Sequence, residues 1–144
     1  AVAEARDNWV LTPHPGEAAR LLQSVTSEVQ RDRFAAVAAL QKRFGGAVIL
    51  KGSGSMVATP EGPLEVISAG NPGMASGGMG DVLSGILGGL LAQGLSVDRA
   101  AALGAGLHAE AADLAVGDWG ERSLLATDLI PALCQLLQAE PGHV

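Results

Sequence analysis

Apolar residues fall into two rhythms along this chain. Trp9-Val10-Leu11-Thr12 and Ala47-Val48-Ile49-Leu50 are short, nearly unbroken runs, the signature of strands covered on both faces. Between them apolar positions recur at helical spacing: Ala18, Leu21 and Leu22, then Phe34, Val37, Leu40 and Phe44. This predicts a helix opening at Pro15, whose missing N–H costs nothing at a first helical position. A second helix is predicted over Glu28 to Phe44, ended by Gly45-Gly46. Met56 to Thr59 and Leu64 to Ala69 form a predicted hairpin about Pro60-Glu61-Gly62-Pro63. Ala1 to Asp7 has the look of a helix tail. Three helices close the chain: Asp81 to Gln93, Val97 to Val116 with Ser96 as N-cap and Gly117 as stop, and Thr127 to Gln138 with Pro131 in its first turn. Strand, helix, helix, strand, hairpin, then helices is the order of an α/β layered domain. Only its later part is expected here, because a doubly wound sheet has more strands before this point.

Composition narrows the picture. With 144 residues, 48% of them hydrophobic, the chain is one domain or part of one and can bury a core. Aromatics make up 3%, so that core is built from Ala, Leu and Val. A net charge of −6 without a basic cluster argues against a nucleic-acid surface. Cys134 is the only cysteine, which excludes a disulfide framework and a cysteine zinc site and suits a reducing cytoplasm. Ala1 to Asn8 lacks the pattern of a signal peptide. Val82 to Leu95, the longest apolar stretch, falls short of the roughly 20 residues that span a bilayer. A cytoplasmic protein with no membrane partner is expected.

Chemistry concentrates at three predicted strand exits, where α/β folds bind ligands. The first is Pro13-His14-Pro15-Gly16-Glu17: His14 could hydrogen-bond a substrate, and Glu17 could hold hydrated Mg²⁺ or simply complement a helix dipole. The second is Lys51-Gly52-Ser53-Gly54-Ser55, a phosphate site or a plain hairpin turn with an exposed lysine. The third is Gly70 to Gly85, where glycines end in Gly77-Gly78-Met79-Gly80-Asp81 at a strand-to-helix junction. Bare amides and the dipole there would favour an anion, although aspartate also caps helices for purely structural reasons. A P-loop is excluded because Met79 stands in the lysine position, and no Gly-x-Gly-x-x-Gly opens a helix. His108-Ala109-Glu110 is similar to the start of a zinc deaminase motif, but no Pro-Cys-x-x-Cys follows. His108, set among alanines, is expected to be a packed histidine.

Leu11 to Glu17, Leu50 to Gly54, Gly70 to Gly85 and Leu124 to Leu129 together resemble the ADP-dependent NAD(P)H-hydrate dehydratases, members of the ribokinase-like superfamily. The shared superfamily signature Gly-x-Gly-Asp is Gly78-Met79-Gly80-Asp81 here. The resemblance implies a three-layer α/β/α sandwich of ribokinase type whose domain begins ahead of Ala1, residues 1–144 being its C-terminal part. It implies removal of water from hydrated NADH or NADPH, with ADP as co-substrate converted to AMP and phosphate. Asp81 would be the catalytic base. His14 and Asp81 would contact the hydrated nicotinamide. Lys51, Gly52, Ser53, Gly54, Ser55, Gly78, Met79 and Gly80 would hold the nucleotide. Glu17 would hold Mg²⁺, although His14 stands where the superfamily's Asn-x-x-Glu motif has asparagine. Small-molecule substrates and self-association into a homo-oligomer are implied. A small-molecule kinase of the same superfamily and a non-catalytic nucleotide-binding fragment are the alternatives.

Overall fold

The computed structural model describes residues 4–138. A four-stranded sheet in the order β1-β2-β3-β4 forms its middle layer. β1 (Val10–Leu11) runs parallel to β2 (Ala47–Leu50), and β3 (Ser55–Ala58) and β4 (Glu65–Ile67) continue antiparallel, in the expected hairpin. Helices α1 (Pro15–Leu22), α2 (Thr26–Arg31) and α3 (Arg33–Phe44) connect β1 to β2. Helices α4 (Met79–Ala92), α5 (Val97–Trp119) and α6 (Leu129–Gln138) follow the sheet, with short 3₁₀ turns at Pro72–Ala75 and Ala126–Asp128.

Why β2 is apolar throughout is clear from its neighbours. Successive strand side chains point to opposite faces, and here both faces are covered. Val48 and Leu50, with Met56 and Ala58 of β3, pack against Ala18, Val29, Val37, Leu40 and Phe44 from α1 to α3. Ala47, Ile49 and Val57 pack on the other side against Leu83 and Leu87 of α4 and Ala101 and Ala105 of α5. Burying a side chain such as Leu40 or Ile49, both wholly inaccessible, contributes about 1.5–3 kcal/mol. A third cluster joins α4, α5 and α6 through Met79, Ala111, Ala112 and Leu129. Alanine dominates α5 because that helix is packed against both the sheet and its neighbouring helices.

Several boundaries depart from expectation. The helix expected over Glu28 to Phe44 is two helices, because Asp32 leaves the helical region (φ −142°, ψ 83°). Its carboxylate accepts from the Ala35 amide at 2.9 Å and so starts α3 afresh. Phe34, expected on the inner stripe, is 57% exposed, standing about one turn ahead of the side chains that reach the sheet. Residues 4–7 are not helical; the Arg6 amide instead donates to the Phe44 carbonyl, capping α3. The remainder of the helix tail expected over Ala1 to Asp7 lies outside the described residues. Helix α5 passes through Gly117 and ends at Gly120, whose φ of +71° terminates it. Thr127 sits in a 3₁₀ turn ahead of α6. Among the described residues no helix is long and apolar enough to cross a membrane.

Candidate functional site

Lys51 leaves the end of β2, and its amide donates to the Pro13 carbonyl at 2.9 Å, tying the first two strand exits together. The third exit reaches the same place. Asn71 opens the 3₁₀ turn by accepting from the Gly73 amide at 3.0 Å. Gly78 then adopts φ +87° as the N-cap of α4, a conformation that favours glycine. The amides of Asp81 and Val82 return to the Gly78 carbonyl at 3.0 and 3.1 Å. Among the described residues, the Met79 and Gly80 amides find no acceptor. A Cβ placed on Gly80 would stand 2.9 Å from Lys51 Nζ. The lysine ammonium therefore lies against the bare first turn of α4, where unpaired amides and the helix dipole already favour negative charge.

A cleft of about 510 Å³ opens beside this contact. Lys51 to Ser55 and Gly80 form its polar side; Met74, Met79, Leu83, Ala105 and Ala109 form its apolar side. A polar end suited to phosphate next to an apolar end suited to a flat base is what a nucleotide needs. His108 lines the same cleft. It is 7% exposed, and no hydrogen-bond partner reaches its Nε2 among the described residues. Burial pushes its imidazole below the usual range; the nearby Met79 backbone opposes this in part, and the Lys51 charge adds to it. His108 is thus packed, as expected, but it also faces the cleft.

The turn at residues 14–17 is different. His14 is the N-cap of α1, its Nδ1 accepting from the amides of Gly16 (3.0 Å) and Glu17 (3.3 Å). Glu17 reciprocates by accepting from the His14 amide at 2.7 Å, which completes a capping box. That bond is the main reason the Glu17 carboxyl titrates below its usual range; burial opposes it, and the charges of His14, Lys51 and Arg20 add to it. The Lys51 charge therefore acts on both Glu17 and His108.

The structure thus gathers Lys51, Gly52, Ser53, Gly54, Ser55, Met79 and Gly80 in the wall of one cleft. His14, Glu17, Gly78 and Asp81 are not in that wall; Asp81 follows Gly80 on the first turn of α4 with its side chain exposed. Among the described residues no group of three or more His, Cys, Asp or Glu could hold a metal ion, leaving Glu17 a single carboxylate near Lys51. Sequence reasoning missed three contributors. His108 was seen but not placed in the cleft. Asp113 accepts from the Gly70 amide (2.8 Å) and from Asn71 Nδ2 (2.9 Å), bracing the glycine segment from α5. Arg33 supports the loop after Lys51 through its guanidinium. Neither Asp113 nor Arg33 has a local signal, because each acts across a long stretch of chain.

Comparison with known proteins assigns the chain to a family. The NAD(P)H-hydrate dehydratase family model matches residues 1–135. The bifunctional NAD(P)H-hydrate repair enzyme Nnr of Coxiella burnetii is 56% identical over 128 residues, covering 89% of this chain and 26% of that protein. The ADP-dependent (S)-NAD(P)H-hydrate dehydratase of Neisseria meningitidis serogroup B is 48% identical over 132 residues, 91% of this chain and 45% of the relative. The chain thus spans less than half the length of these curated relatives. Among solved structures, the Bacillus subtilis ADP/ATP-dependent NAD(P)H-hydrate dehydratase co-crystallized with ATP/Mg²⁺ superposes with a TM-score of 0.88 at 27% identity, over 96% of this chain and 51% of that one. The layered α/β fold is accordingly of the ribokinase-like class, in part, and the chain belongs to the NAD(P)H-hydrate dehydratase family.

Proposed function

We propose that this chain supplies the nucleotide cleft and catalytic base of an enzyme that dehydrates (S)-hydrated NADH or NADPH at the expense of ADP. One observation carries the proposal: Lys51 Nζ lies against Gly80 at the open first turn of α4. That arrangement suits the terminal phosphates of ADP. Lys51 offers charge, the Met79 and Gly80 amides offer donors, and the apolar side of the cleft suits adenine.

Hydroxide is a poor leaving group, and its phosphate ester is a good one. Asp81, next to Gly80, takes the proton from the ring hydroxyl as the oxygen attacks the terminal phosphorus of ADP. The phosphorus–oxygen bond to AMP breaks as the new one forms, and the amides of α4 stabilise the charge on the transferring group. Phosphate then leaves with the C–O bonding pair, a neighbouring ring proton is lost, and the dihydronicotinamide is restored. His14, half exposed at the mouth of the first turn, contacts the hydrated ring. Glu17, whose carboxylate is also engaged by the His14 amide, would be a single protein ligand to Mg²⁺, and the ion would supply charge neutralisation at the phosphates. The Bacillus subtilis relative crystallised with ATP/Mg²⁺ supports that use of nucleotide and ion.

The test is incubation of the full-length protein with hydrated NADH and ADP. Recovery of dihydronicotinamide absorbance, matched by equal AMP and phosphate, is expected. A stable phosphoester without recovery would make the protein a kinase. Tight AMP binding without turnover would make it a nucleotide-binding remnant.

A further inference from the structure

Arg33 owes its position to the break at Asp32, which makes it the first residue of α3. Its guanidinium gathers three carbonyls of the chain segment that carries Lys51. Nη1 donates to Ser53 O at 2.5 Å, and Nη2 donates to Gly54 O at 3.0 Å and Leu50 O at 3.3 Å. Among the described residues no carboxylate lies within ion-pair reach of it. The segment from Lys51 to Ser55 lines the cleft, whereas Arg33 does not. The loop is thus one layer of backbone with a cation behind it and the cleft in front.

Peptide geometry makes this arrangement consequential. Within one peptide unit the C=O and the following N–H point in opposite directions. Turning the Ser53 and Gly54 carbonyls toward Arg33 therefore turns the Gly54 and Ser55 amides away from it. Gly52 adapts the chain to this bend: it takes φ +151°, and a Cβ there would stand 2.9 Å from Arg33 Nη2. A lysine could not substitute, since one ammonium cannot present the planar fork that spans separate carbonyls.

We propose that Arg33 is a positioning residue for the nucleotide site, holding the carbonyls of the 51–55 loop to one side so that its amides and Lys51 serve the phosphates of ADP. The inference rests on the nucleotide reading of the cleft and specifies what shapes it. Because charge-assisted hydrogen bonds are the stronger kind, their removal is expected to weaken ADP binding by about ten-fold or more.

The experiment measures ADP binding to the full-length protein by calorimetry, with Lys51→Ala, Arg33→Ala and Arg33→Lys alongside the parent. Lys51→Ala tests the site itself; if it leaves ADP affinity unchanged, the nucleotide reading fails before Arg33 is at issue. If Lys51→Ala weakens binding and Arg33→Ala does not, the site stands and the positioning role is overturned. The expected result is a raised ADP KM for Arg33→Ala with the KM for hydrated NADH unchanged, and recovery of ADP affinity on adding millimolar guanidinium but not the same concentration of sodium chloride. Weakening of both substrates alike, or no guanidinium rescue, would reduce Arg33 to a general structural residue. If Arg33→Ala does not fold, Arg33→Lys decides: a loss of ADP affinity supports the role, and parental affinity overturns it.

Discussion

Two strand exits in this protein carry the same kind of sequence signal and resolve it in opposite ways. At residues 14–17 the polar groups consume one another: His14 Nδ1 takes two amides, and Glu17 takes the His14 amide. At the exit of β2 and the start of α4 they do not. Lys51 Nζ rests on a glycine, the Met79 and Gly80 amides lack acceptors, and His108 Nε2 is buried without a partner. A buried polar atom without a partner, here His108 Nε2, raises the free energy of the fold, whereas Lys51 and Gly80 line the cleft with their polar groups free to meet a ligand. The satisfied turn builds α1 around its own polar groups; the open one is the proposed phosphate end of the nucleotide site.

The largest expected effect attacks the unsatisfied region at its base. Asp81→Asn should lower kcat by roughly 100- to 10,000-fold, the usual range for removing a general base. ADP affinity should hold, because Asp81 is outside the cleft wall. Turnover at the parental rate would remove Asp81 from the chemistry. Gly80→Ala comes next and separates stability from binding. Alanine is the better helix former by roughly 0.8–1 kcal/mol, so thermal stability should hold or rise. The new Cβ would displace Lys51 Nζ, 2.9 Å away, and ADP binding should fall about ten-fold, a loss of about 1.4 kcal/mol. Unchanged ADP binding would mean the lysine is not held where the phosphates go.

How much of this was legible beforehand follows from how local each signal is. The unbroken run 47–50 announced a strand buried on both faces, and the glycine segment announced the start of α4, because strand periodicity and glycine conformations are written in neighbouring residues. The break at Asp32 was not announced. Apolar spacing runs on past it, and a single capping carboxylate outweighs that spacing. Phe34 misled for the same reason, since periodicity says which side a residue is on but not whether anything lies opposite. Arg33 and Asp113 were invisible as site residues because their partners are 17–21 and 42–43 positions away. The resemblance assigns the second and third exits to one nucleotide, whereas the contact between Lys51 and Gly80 required coordinates.

His14 sharpens the comparison at a smaller scale, because it is asked to do two things. As an N-cap it should be worth about 1 kcal/mol, so His14→Ala should lower stability by that amount. Asparagine caps as well as any residue, and His14→Asn should keep stability within about 0.5 kcal/mol. If the imidazole also touches the hydrated ring, His14→Asn should raise the KM for hydrated NADH several-fold and leave the ADP KM alone. A variant with parental kinetics would assign His14 to capping alone.

The smallest effect distinguishes the two regions by pH. Burial lowers the folded-state pKa of His108 below its ordinary 6.5, so the unfolded chain binds more protons in the window beneath that value. Stability from keeping this imidazole neutral is therefore fully present above about pH 6.5 and is lost as pH falls from there toward the folded pKa. Each unit of depression corresponds to about 1.4 kcal/mol. Glu17 acts in a lower window: its folded pKa lies below 4.5, and its contribution is present above that value and lost as pH falls through the folded pKa. Its side chain is 43% exposed, so solvent screening keeps the contribution small. Urea unfolding of the parent and of His108→Leu between pH 5 and 7.5 should show a slope in the parent that the variant lacks, whereas Glu17→Gln should alter only the limb below pH 4.5. Equal slopes in parent and His108→Leu would mean that the cleft histidine takes up its proton as freely folded as unfolded, and the contrast between a satisfied and an unsatisfied strand exit would lose its third member.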